Sequence, residues 1–316
     1  METRFLGNTG LEVSRLCFGG LTVGPLQANL TPEEGAKVII EAYDRGVNFI
    51  DTAELYETYA HIHEALKVIP REKYIIASKS YAWSRETAEQ SFEKACKELG
   101  TDYLDLFMLH EQESVHTLRG HWEAMEYFLE RKAKGDIRAL GLSTHYIAGV
   151  QAAIQTPEIE VVHPILNKSG LGIQDGSLDE MVEALKVFKN RGGGVFGMKP
   201  LGGGNLLASV DECFDYVLGL DFVDSIAVGM QRVSEVVANT TRFSGGVVPP
   251  EIKSQLRVTP RRLHIDDWCI GCKACEEKCK SNAIHVVEGK AIVDHSKCVL
   301  CAYCSAVCPE FCIKVV

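Results

Sequence analysis

The sequence predicts an α/β protein in two parts, a (β/α)8 barrel of the TIM type followed by a small α+β domain rich in cysteine. Eight short apolar runs alternate with amphipathic stretches over residues 1–243, which is typical of such a barrel. A segment rich in glycine, proline and basic residues follows at 244–262 and is interpreted as a linker. Nine of the twelve cysteines then lie between Cys269 and Cys312. We therefore expect a second domain at residues 263–316.

The elements of the barrel can be assigned in order along the chain. Residues 4–13 predict a hairpin ahead of the barrel. The predicted strands are 13–20, 48–53, 74–80, 104–110, 139–145, 161–167, 194–201 and 225–230. Residues 31–34, Thr-Pro-Glu-Glu, form a capping box with proline at the first helical position, and Ser84 begins a helix that ends at Gly100. An open doubly wound sheet is the alternative fold for this pattern.

The composition argues against two classes of function. The formal net charge of −10 is unfavourable for a nucleic-acid-binding protein, which needs a basic surface to displace counterions. No apolar run is long enough to cross a membrane, and the opening residues METRFLGNTG lack the apolar core of a signal peptide. We therefore expect a cytoplasmic protein that binds neither nucleic acid nor membranes.

Eight of the C-terminal cysteines form two runs with the spacing Cys-x-x-Cys-x-x-Cys-x-x-x-Cys, offset by 29 residues as in an internal duplication. The first three thiolates of a run can wrap one cubic cluster, and the fourth points to the other cluster. The spacing predicts two [4Fe-4S] clusters, one held by Cys269, Cys272, Cys275 and Cys308, the other by Cys298, Cys301, Cys304 and Cys279. Zinc is the alternative. Zinc sites use four ligands in two pairs, however, and the third cysteine of each run would then have no role.

The ninth cysteine of this region, Cys312, matches an alanine in the first copy of the duplication, so we predict a packing residue and not a ligand. Over residues 263–316 the chain resembles two-cluster bacterial ferredoxins. One departure is Lys280, where that family usually has proline. A domain this small cannot build a large core, so its clusters must also contribute to its folding energy.

Polar side chains follow three successive predicted strands of the barrel. Asp51 lies at the end of the second strand with Tyr56 five residues on, Lys79 lies at the end of the third and His110 ends the fourth. The carboxyl ends of barrel strands meet at one mouth, where these four side chains should converge. A nearby ammonium lowers the pKa of a phenol from its usual value near 10, so Lys79, held by Asp51, would help Tyr56 to deliver a proton. His110 would hydrogen-bond a substrate carbonyl. Any one of the four could be a solvated rim residue, but together they predict a catalytic site.

Five segments of the barrel resemble the aldo-keto reductase family: FLGNTGLEVSRLCFGG, GVNFIDTAELY, LDLFMLH, IRALGLSTH and MKPLGGG. The resemblance spans residues 4–243 and implies that the four polar residues are the family's catalytic tetrad, with Tyr56 as the general acid. It also implies hydride transfer between a nicotinamide cofactor and a small carbonyl or alcohol substrate. The cofactor is expected to be NADP(H), with NAD(H) as the alternative. The family binds it without the glycine fingerprint G-x-G-x-x-G, and none follows a predicted strand here.

The same resemblance implies where the cofactor lies. Ser143 should lie near the nicotinamide carboxamide, residues 199–204 should approach the pyrophosphate, and Arg232 should pair with a 2′-phosphate. The implied contacts are Gly20, Leu21, Ser143, Thr144, His163, Lys199, Pro200, Leu201, Gly202, Gly229, Gln231, Arg232, Glu235 and Asn239. The family usually has asparagine at Thr144, glutamine at His163 and glycine directly after the catalytic tyrosine, and this chain departs from all three.

Three functions are consistent with this sequence. The first is an NADP(H)-dependent carbonyl or alcohol oxidoreductase whose clusters relay electrons. Because a hydride carries two electrons and each cluster moves one, that relay needs a flavin or an external redox protein to split the pair. The second is an electron-transfer protein whose barrel is a docking or sensing module. The third is an active reductase with purely structural clusters. The sequence leaves open the substrate, the direction of the reaction, the oligomeric state and the placement of the small domain against the barrel mouth.

Overall fold

The computed structural model describes residues 1–257, 261–301 and 303–316. Residues 258–260, which belong to the predicted linker, lie outside the described residues, as does Ala302. Eight parallel strands close into a barrel, so the (β/α)8 fold is confirmed and the open sheet is wrong. In the described part of the chain, no helix is both long and apolar enough to cross a bilayer.

The strands begin with the predicted hairpin, in which β1 (Thr3–Phe5) and β2 (Glu12–Ser14) pair antiparallel. Each strand of the barrel overlaps one of the eight predicted segments. The barrel strands are β3 (Leu16–Gly19), β4 (Phe49–Asp51), β5 (Ile75–Ser80), β6 (Leu104–Leu109), β7 (Ile137–Thr144), β8 (Val161–Pro164), β9 (Gly194–Met198) and β10 (Ser225–Gly229). They pair in the order β10-β3-β4-β5-β6-β7-β8-β9, and β9 bonds to β10 to close the barrel.

Helices connect the barrel strands, and both predicted helix starts are confirmed. The Thr31 side chain accepts a hydrogen bond from the Glu34 N–H, and the Ser84 side chain accepts one from the Thr87 N–H. Gly100 ends the second of these helices with a left-handed φ of 69°. The helices are α1 (Pro32–Asp44), α2 (Tyr59–Leu66), α3 (Arg85–Leu99), α4 (Val115–Gly120), α5 (Trp122–Lys134), α6 (Ile147–Ile154), α7 (Leu178–Asn190), α8 (Val210–Leu218) and α9 (Val233–Phe243).

The apolar side chains of the strands point alternately to two cores, as the two-residue period of a strand requires. Phe49 and Phe196 pack inside the barrel with Leu6 of the hairpin. Ile50, the next residue along β4 after Phe49, and Phe107 of β6 pack in the larger core that contains the helices. The hairpin closes the amino-terminal end of the barrel, which leaves the carboxyl-terminal mouth for a functional site.

The C-terminal domain consists of two small antiparallel sheets around the cysteine runs. Strand β11 pairs with β14 and β12 pairs with β13. The elements are β11 (Leu263–Ile265), α11 (Ala274–Lys278), β12 (Ile284–Val287), β13 (Lys290–Val293) and β14 (Ile313–Val315). The predicted linker is partly helical, because α10 (Pro250–Arg257) lies within it.

Strand β14 brings the C-terminal domain to the mouth of the barrel, a placement that the sequence left open. The Val315 N–H donates to the Gly203 carbonyl at 3.0 Å, and the Asn205 side-chain amide donates to the Ile313 carbonyl at 3.2 Å. Phe311 is 1% exposed and packs into the core shared with the helices. The small domain therefore rests on the loop that follows β9.

Candidate functional site

The four predicted catalytic residues lie at the carboxyl ends of three neighbouring strands. Asp51 is the last residue of β4, Lys79 is the last but one of β5 and His110 follows β6. Tyr56 lies in a short 3-10 turn after β4. Because β4, β5 and β6 are adjacent in the barrel, these side chains converge at one mouth, as predicted.

Lys79 and Asp51 form the buried centre of this group. The Lys79 ammonium donates to Asp51 Oδ1 at 2.5 Å and to the Thr52 carbonyl at 2.7 Å. Burial alone would raise the pKa of Asp51, but the Lys79 charge and His163 outweigh it and hold the pKa at about 2. Asp51 is therefore a permanent carboxylate that fixes the ammonium, as the sequence predicted.

Tyr56 departs from the prediction. Its pKa is raised well above the usual value, first by burial and then by the negative charges of Asp51 and Glu111. The Lys79 ammonium lies 4.9 Å from the centroid of the Tyr56 ring and is neutralised by Asp51. The pKa of Tyr56 in the resting protein is therefore shifted in the direction opposite to the predicted one. The phenol keeps its proton in the resting state, which is the form that a general acid needs.

His110 contributes an unpartnered polar atom at the same place. Its ring lies edge-on to Tyr56, with centroids 5.6 Å apart, and stacks on Tyr81 at 4.5 Å. Burial and the Lys79 charge lower the pKa of His110 well below its usual value, so the imidazole is neutral. Its Nδ1 is buried and has no hydrogen-bond partner among the described residues. Buried polar atoms are almost always paired, so this one fits a substrate atom.

Tyr81 was missed by the sequence reasoning. It stacks on His110 and donates its hydroxyl to Glu111 Oε2 at 2.6 Å. Its position directly after β5 was the available signal, because residues at strand ends line the mouth.

Two of the three positions that depart from the family, His163 and Thr144, form hydrogen bonds or close polar contacts within the protein. His163 Nδ1 lies 2.6 Å from the Phe196 carbonyl, and its Nε2 lies 3.7 Å from Asp51 Oδ2. The Thr144 hydroxyl donates to the Tyr146 carbonyl at 3.1 Å and accepts from the Tyr146 N–H at 2.9 Å. His163 therefore lies beside Asp51. The Thr144 hydroxyl is hydrogen-bonded to the backbone of Tyr146, in the loop that follows it. Their role in holding a nicotinamide ring stays a prediction.

The predicted pyrophosphate segment forms a tight loop after β9. Lys199 has a left-handed φ of 57°, and its ammonium lies 2.7 Å from His145 Nε2. Pro200 and Gly202 are buried, and Leu201 is half-buried. The loop contacts β14 on one side, so it serves at least as the docking site of the C-terminal domain.

Four further predicted cofactor contacts lie near the carboxyl ends of β3, β10 and β7. Gly20 lies so close to β4 that a Cβ there would be 2.8 Å from the Asp51 carbonyl. Leu21 follows it in a 3-10 turn, and Gly229 ends β10 beside that turn. Ser143 is the last but one residue of β7, and its Oγ accepts a hydrogen bond from the Glu111 N–H at 2.9 Å.

The predicted adenosine segment lies at the start of α9. The Gln231 N–H donates to Glu235 Oε2 at 2.7 Å, and Arg232 is the residue that precedes the helix. Arg261, from the linker, lies 3.5 Å from Glu235 Oε1. Asn239 is buried within the helix. These residues are grouped as the resemblance implied, and their contact with a dinucleotide stays a prediction.

Five thiols line one cavity in the C-terminal domain: Cys269, Cys272, Cys275, Cys308 and Cys312. The first four are the predicted ligands of one cluster. The N–H groups of Gly271 and Ala291 each lie 3.5 Å from the Cys269 sulfur, as donors to a cluster thiolate would. In the described part of the chain, no three His, Cys, Asp or Glu side chains are close enough to share a single metal ion. Thiols spread around a cavity fit a cluster better than zinc.

The second predicted ligand set is less enclosed. Cys304 is buried, Cys298 is half-buried and Cys301 is exposed. The Cys279 sulfur accepts a hydrogen bond from the Ala283 N–H at 3.2 Å. A second cluster held by this set stays a prediction.

Comparison with known proteins agrees with both parts of this geometry. Residues 15–241, most of the chain, match the aldo/keto reductase family, and residues 264–285 match the 4Fe-4S binding domain. The chain belongs to the aldo/keto reductase family. The predicted family is therefore confirmed, and this aldo/keto reductase is an oxidoreductase with an iron–sulfur domain.

Two curated relatives cover most of this aldo/keto reductase. L-galactose dehydrogenase of Arabidopsis thaliana is 27% identical over 285 residues, which cover 76% of this chain and 87% of the relative. The 6-dehydroglucose reductase of Novosphingobium aromaticivorans is 28% identical over 276 residues, which cover 78% of this chain and 84% of the relative.

Solved structures of aldo-keto reductases are similar in fold. An aldo-keto reductase of Bacillus halodurans, solved in its holo form, has a TM-score of 0.65 and 21% sequence identity. The likeness covers 81% of this chain and 95% of that chain. It supports the fold alone.

Proposed function

We propose that this aldo/keto reductase transfers hydride between NADP(H), with NAD(H) as the alternative, and a small carbonyl or alcohol, and that its C-terminal domain relays electrons through two [4Fe-4S] clusters. One observation carries the catalytic part: a protonated Tyr56 lies beside a neutral His110 whose Nδ1 is unpartnered in the described part of the chain. These are the two groups that a carbonyl oxygen needs as it becomes an alcohol.

The dinucleotide would lie across the mouth, with Ser143 at the carboxamide, the 199–204 loop at the pyrophosphate and Arg232 at a 2′-phosphate. When bound, the nicotinamide supplies the hydride for reduction or accepts it in oxidation. The positively charged fork of Arg232 suits the 2′-phosphate of NADP(H), which is the reason to prefer that cofactor. The residues present fit the group, because the four polar residues lie at the carboxyl ends of β4, β5 and β6, and His110 Nδ1 there has no partner among the described residues.

Side chains of the protein bind the substrate oxygen and transfer its proton. Tyr56 donates its proton to the carbonyl oxygen as the alcohol forms and takes it back in the reverse direction. His110 holds the same oxygen by a hydrogen bond, since a neutral imidazole carries one N–H. Lys79, held by Asp51, then stabilises the phenolate that Tyr56 leaves behind.

The substrate is expected to be a polar carbonyl such as a sugar or a related hydroxylated aldehyde or ketone. Two relatives support this class, since their names are L-galactose dehydrogenase and 6-dehydroglucose reductase. A panel of sugars and sugar lactones is therefore the first to test.

The electron relay is supported by the position of the C-terminal domain. Cys308, a predicted cluster ligand, is three residues from Phe311, which lies edge-on to His145 with ring centroids 6.0 Å apart. His145 directly follows β7 at the mouth. Because a hydride carries two electrons and a cluster accepts one, the relay needs a flavin or an external redox protein to split the pair. This arrangement favours a relay over clusters that only stabilise the fold.

The deciding experiment is anaerobic. The protein with its clusters is mixed with NADPH, and separately with NADH, while the visible iron–sulfur absorption is recorded. Bleaching without an added protein supports a relay within the chain, and bleaching only with an added flavin or redox protein supports a relay through a mediator. Clusters that dithionite reduces but that neither route reduces would refute the relay. Absence of dinucleotide binding and of carbonyl turnover would refute the catalytic part.

A further inference from the structure

We propose that β14 of the iron–sulfur domain is part of the dinucleotide site: it holds the 199–205 loop in its binding conformation, so that cluster assembly strengthens dinucleotide binding. The inference rests on the proposed function in one respect, since it takes that loop to be the pyrophosphate contact. The barrel and the iron–sulfur domain are then thermodynamically coupled even when no electron passes between them.

The first observation is a pair of hydrogen bonds that join the loop to the strand. The Val315 N–H donates to the Gly203 carbonyl at 3.0 Å. The Asn205 side-chain amide donates to the Ile313 carbonyl at 3.2 Å and to the Gly202 carbonyl at 2.7 Å. Asn205 thus ties the loop to itself and to β14 through the same amide.

The second observation is the close approach that the loop glycines allow. A Cβ on Gly204 would lie 2.0 Å from the Val315 carbonyl oxygen, and one on Gly203 would lie 2.7 Å from Lys314 Cδ. Gly202, Gly203 and Gly204 all have positive φ, at 57°, 61° and 85°. Three successive glycines lose a large conformational entropy when ordered, so outside contacts must hold them in one conformation.

The third observation is the anchor beside these contacts. Phe311 is 1% exposed and lies against the barrel near Gly172, where a Cβ would be 3.0 Å from the Phe311 ring. The Lys314 ammonium donates to the Phe311 carbonyl and lies 3.7 Å from the centroid of its ring. Removing β14 from the loop would therefore also expose a buried aromatic ring and a buried lysine stem.

The iron–sulfur domain in turn holds β14. Val315 pairs with Leu263 of β11, and Cys312 lies directly before the strand in the thiol-lined cavity. Clusters contribute to the folding energy of so small a domain, so the population of docked β14 depends on cluster assembly. Any ligand that needs the docked loop must then bind more tightly to the protein that contains its clusters. By linkage, binding of that ligand must in turn favour the docked position of β14.

The test compares loop mobility and dinucleotide affinity in the same samples. Hydrogen exchange of the backbone amides in residues 201–206 is measured in the cluster-loaded protein and after anaerobic removal of iron. Binding of NADPH and of NADH is measured by fluorescence titration. We expect iron removal to speed exchange in the loop by roughly tenfold or more and to weaken dinucleotide binding by at least about fivefold.

Two glycine variants separate docking from backbone strain. Gly204→Ala places a methyl group against Val315, whereas Gly245→Ala adds the same group at a similar left-handed φ of 72° where no atom lies within 4 Å. In the cluster-loaded protein we expect Gly204→Ala to reproduce both effects of iron removal and Gly245→Ala to show neither. If Gly204→Ala does not fold, the comparison of loaded and iron-free protein decides alone.

The outcomes are distinct. Unchanged loop exchange on iron removal would overturn the inference. Faster exchange with unchanged dinucleotide affinity would overturn it too and would leave the proposed function standing. If the loaded wild-type protein binds neither NADPH nor NADH, the proposed function fails at that step, before any comparison of variants is made.

Discussion

The Lys79 ammonium and the Asp51 carboxylate form an ion pair, 2.5 Å from Nζ to Oδ1, in which Lys79 is 1% exposed and Asp51 is 4% exposed. Removing one partner of such a pair leaves the other as an uncompensated buried charge. The pair also lies beside the ring of Tyr56. The stability of the barrel mouth and its chemistry therefore respond to the same substitutions.

We expect Lys79→Met to lower the free energy of unfolding by about 3–5 kcal/mol and to abolish carbonyl turnover. The cause is the Asp51 carboxylate, which stays buried without its ammonium. The matched control is Arg85→Ala, which breaks the exposed ion pair with Glu130, 2.6 Å long, and should cost less than about 1 kcal/mol. Urea unfolding followed by circular dichroism measures both. Equal losses of unfolding free energy in the two variants would show that the buried Lys79–Asp51 pair contributes no more to stability than an exposed ion pair.

Tyr56→Phe tests the general acid. We expect kcat to fall by about a hundredfold or more, because the proton donor is lost, while dinucleotide binding is retained. The control is Tyr59→Phe, which removes a buried hydroxyl 2.7 Å from Ser78 Oγ. That variant should lose about 1 kcal/mol of stability and keep its kcat. A Tyr56→Phe protein that reduces its substrate at the wild-type rate would exclude Tyr56 as the acid.

Buried histidines should make the protein less stable in mild acid. Burial lowers the pKa of His110 and of His145 well below the usual value, and neighbouring lysines lower it further. Below about pH 6.5 the unfolded chain therefore binds protons that the folded chain does not, and stability falls by up to about 1.4 kcal/mol per pH unit for each residue. Asp51, with its pKa at about 2, takes no part in this range.

The measurement is the free energy of unfolding at intervals between pH 7 and pH 5. His110→Gln should flatten the dependence by roughly 1.4 kcal/mol per pH unit, and His116→Gln, at an exposed position, should leave it unchanged. Comparing variants removes the effect of acid on the clusters, which all of them share. Parallel curves for wild type and His110→Gln would mean that His110 does not stay neutral in the fold.

The barrel was predictable because its signals are local, and so was the convergence of the four polar residues at its mouth once the barrel was assigned. Strand periodicity, the capping box at Thr31 and the left-handed glycine at Gly100 each depend on a few neighbouring residues. The tetrad followed from a rule of topology, that strand ends share a mouth. The pKa of Tyr56 did not follow, because its direction depends on burial and on the balance of Lys79 against Asp51, which the sequence does not contain.

The docking of β14 had no usable signal in the sequence. Its bonds to the loop use the backbone of Gly203, Ile313 and Val315, and backbone atoms are the same in every sequence. The run of glycines was visible and was assigned to the pyrophosphate, but the same freedom also admits the strand. The sequence does not distinguish Phe311 from other apolar residues, and only the fold shows that it packs in the larger core that contains the helices.

Cys308 and Cys312 offer a paired test of the cluster ligands, because their sulfurs lie 3.4 Å apart in the same cavity. Only Cys308 belongs to the repeated spacing, so Cys308→Ser should lose one cluster and Cys312→Ser should keep both. We expect about eight iron atoms per chain in wild type and in Cys312→Ser, and about half as many in Cys308→Ser. Iron and sulfide analysis of anaerobically purified protein measures this. If Cys312→Ser lost as much iron as Cys308→Ser, Cys312 would be a ligand and the assignment from the duplication would be wrong.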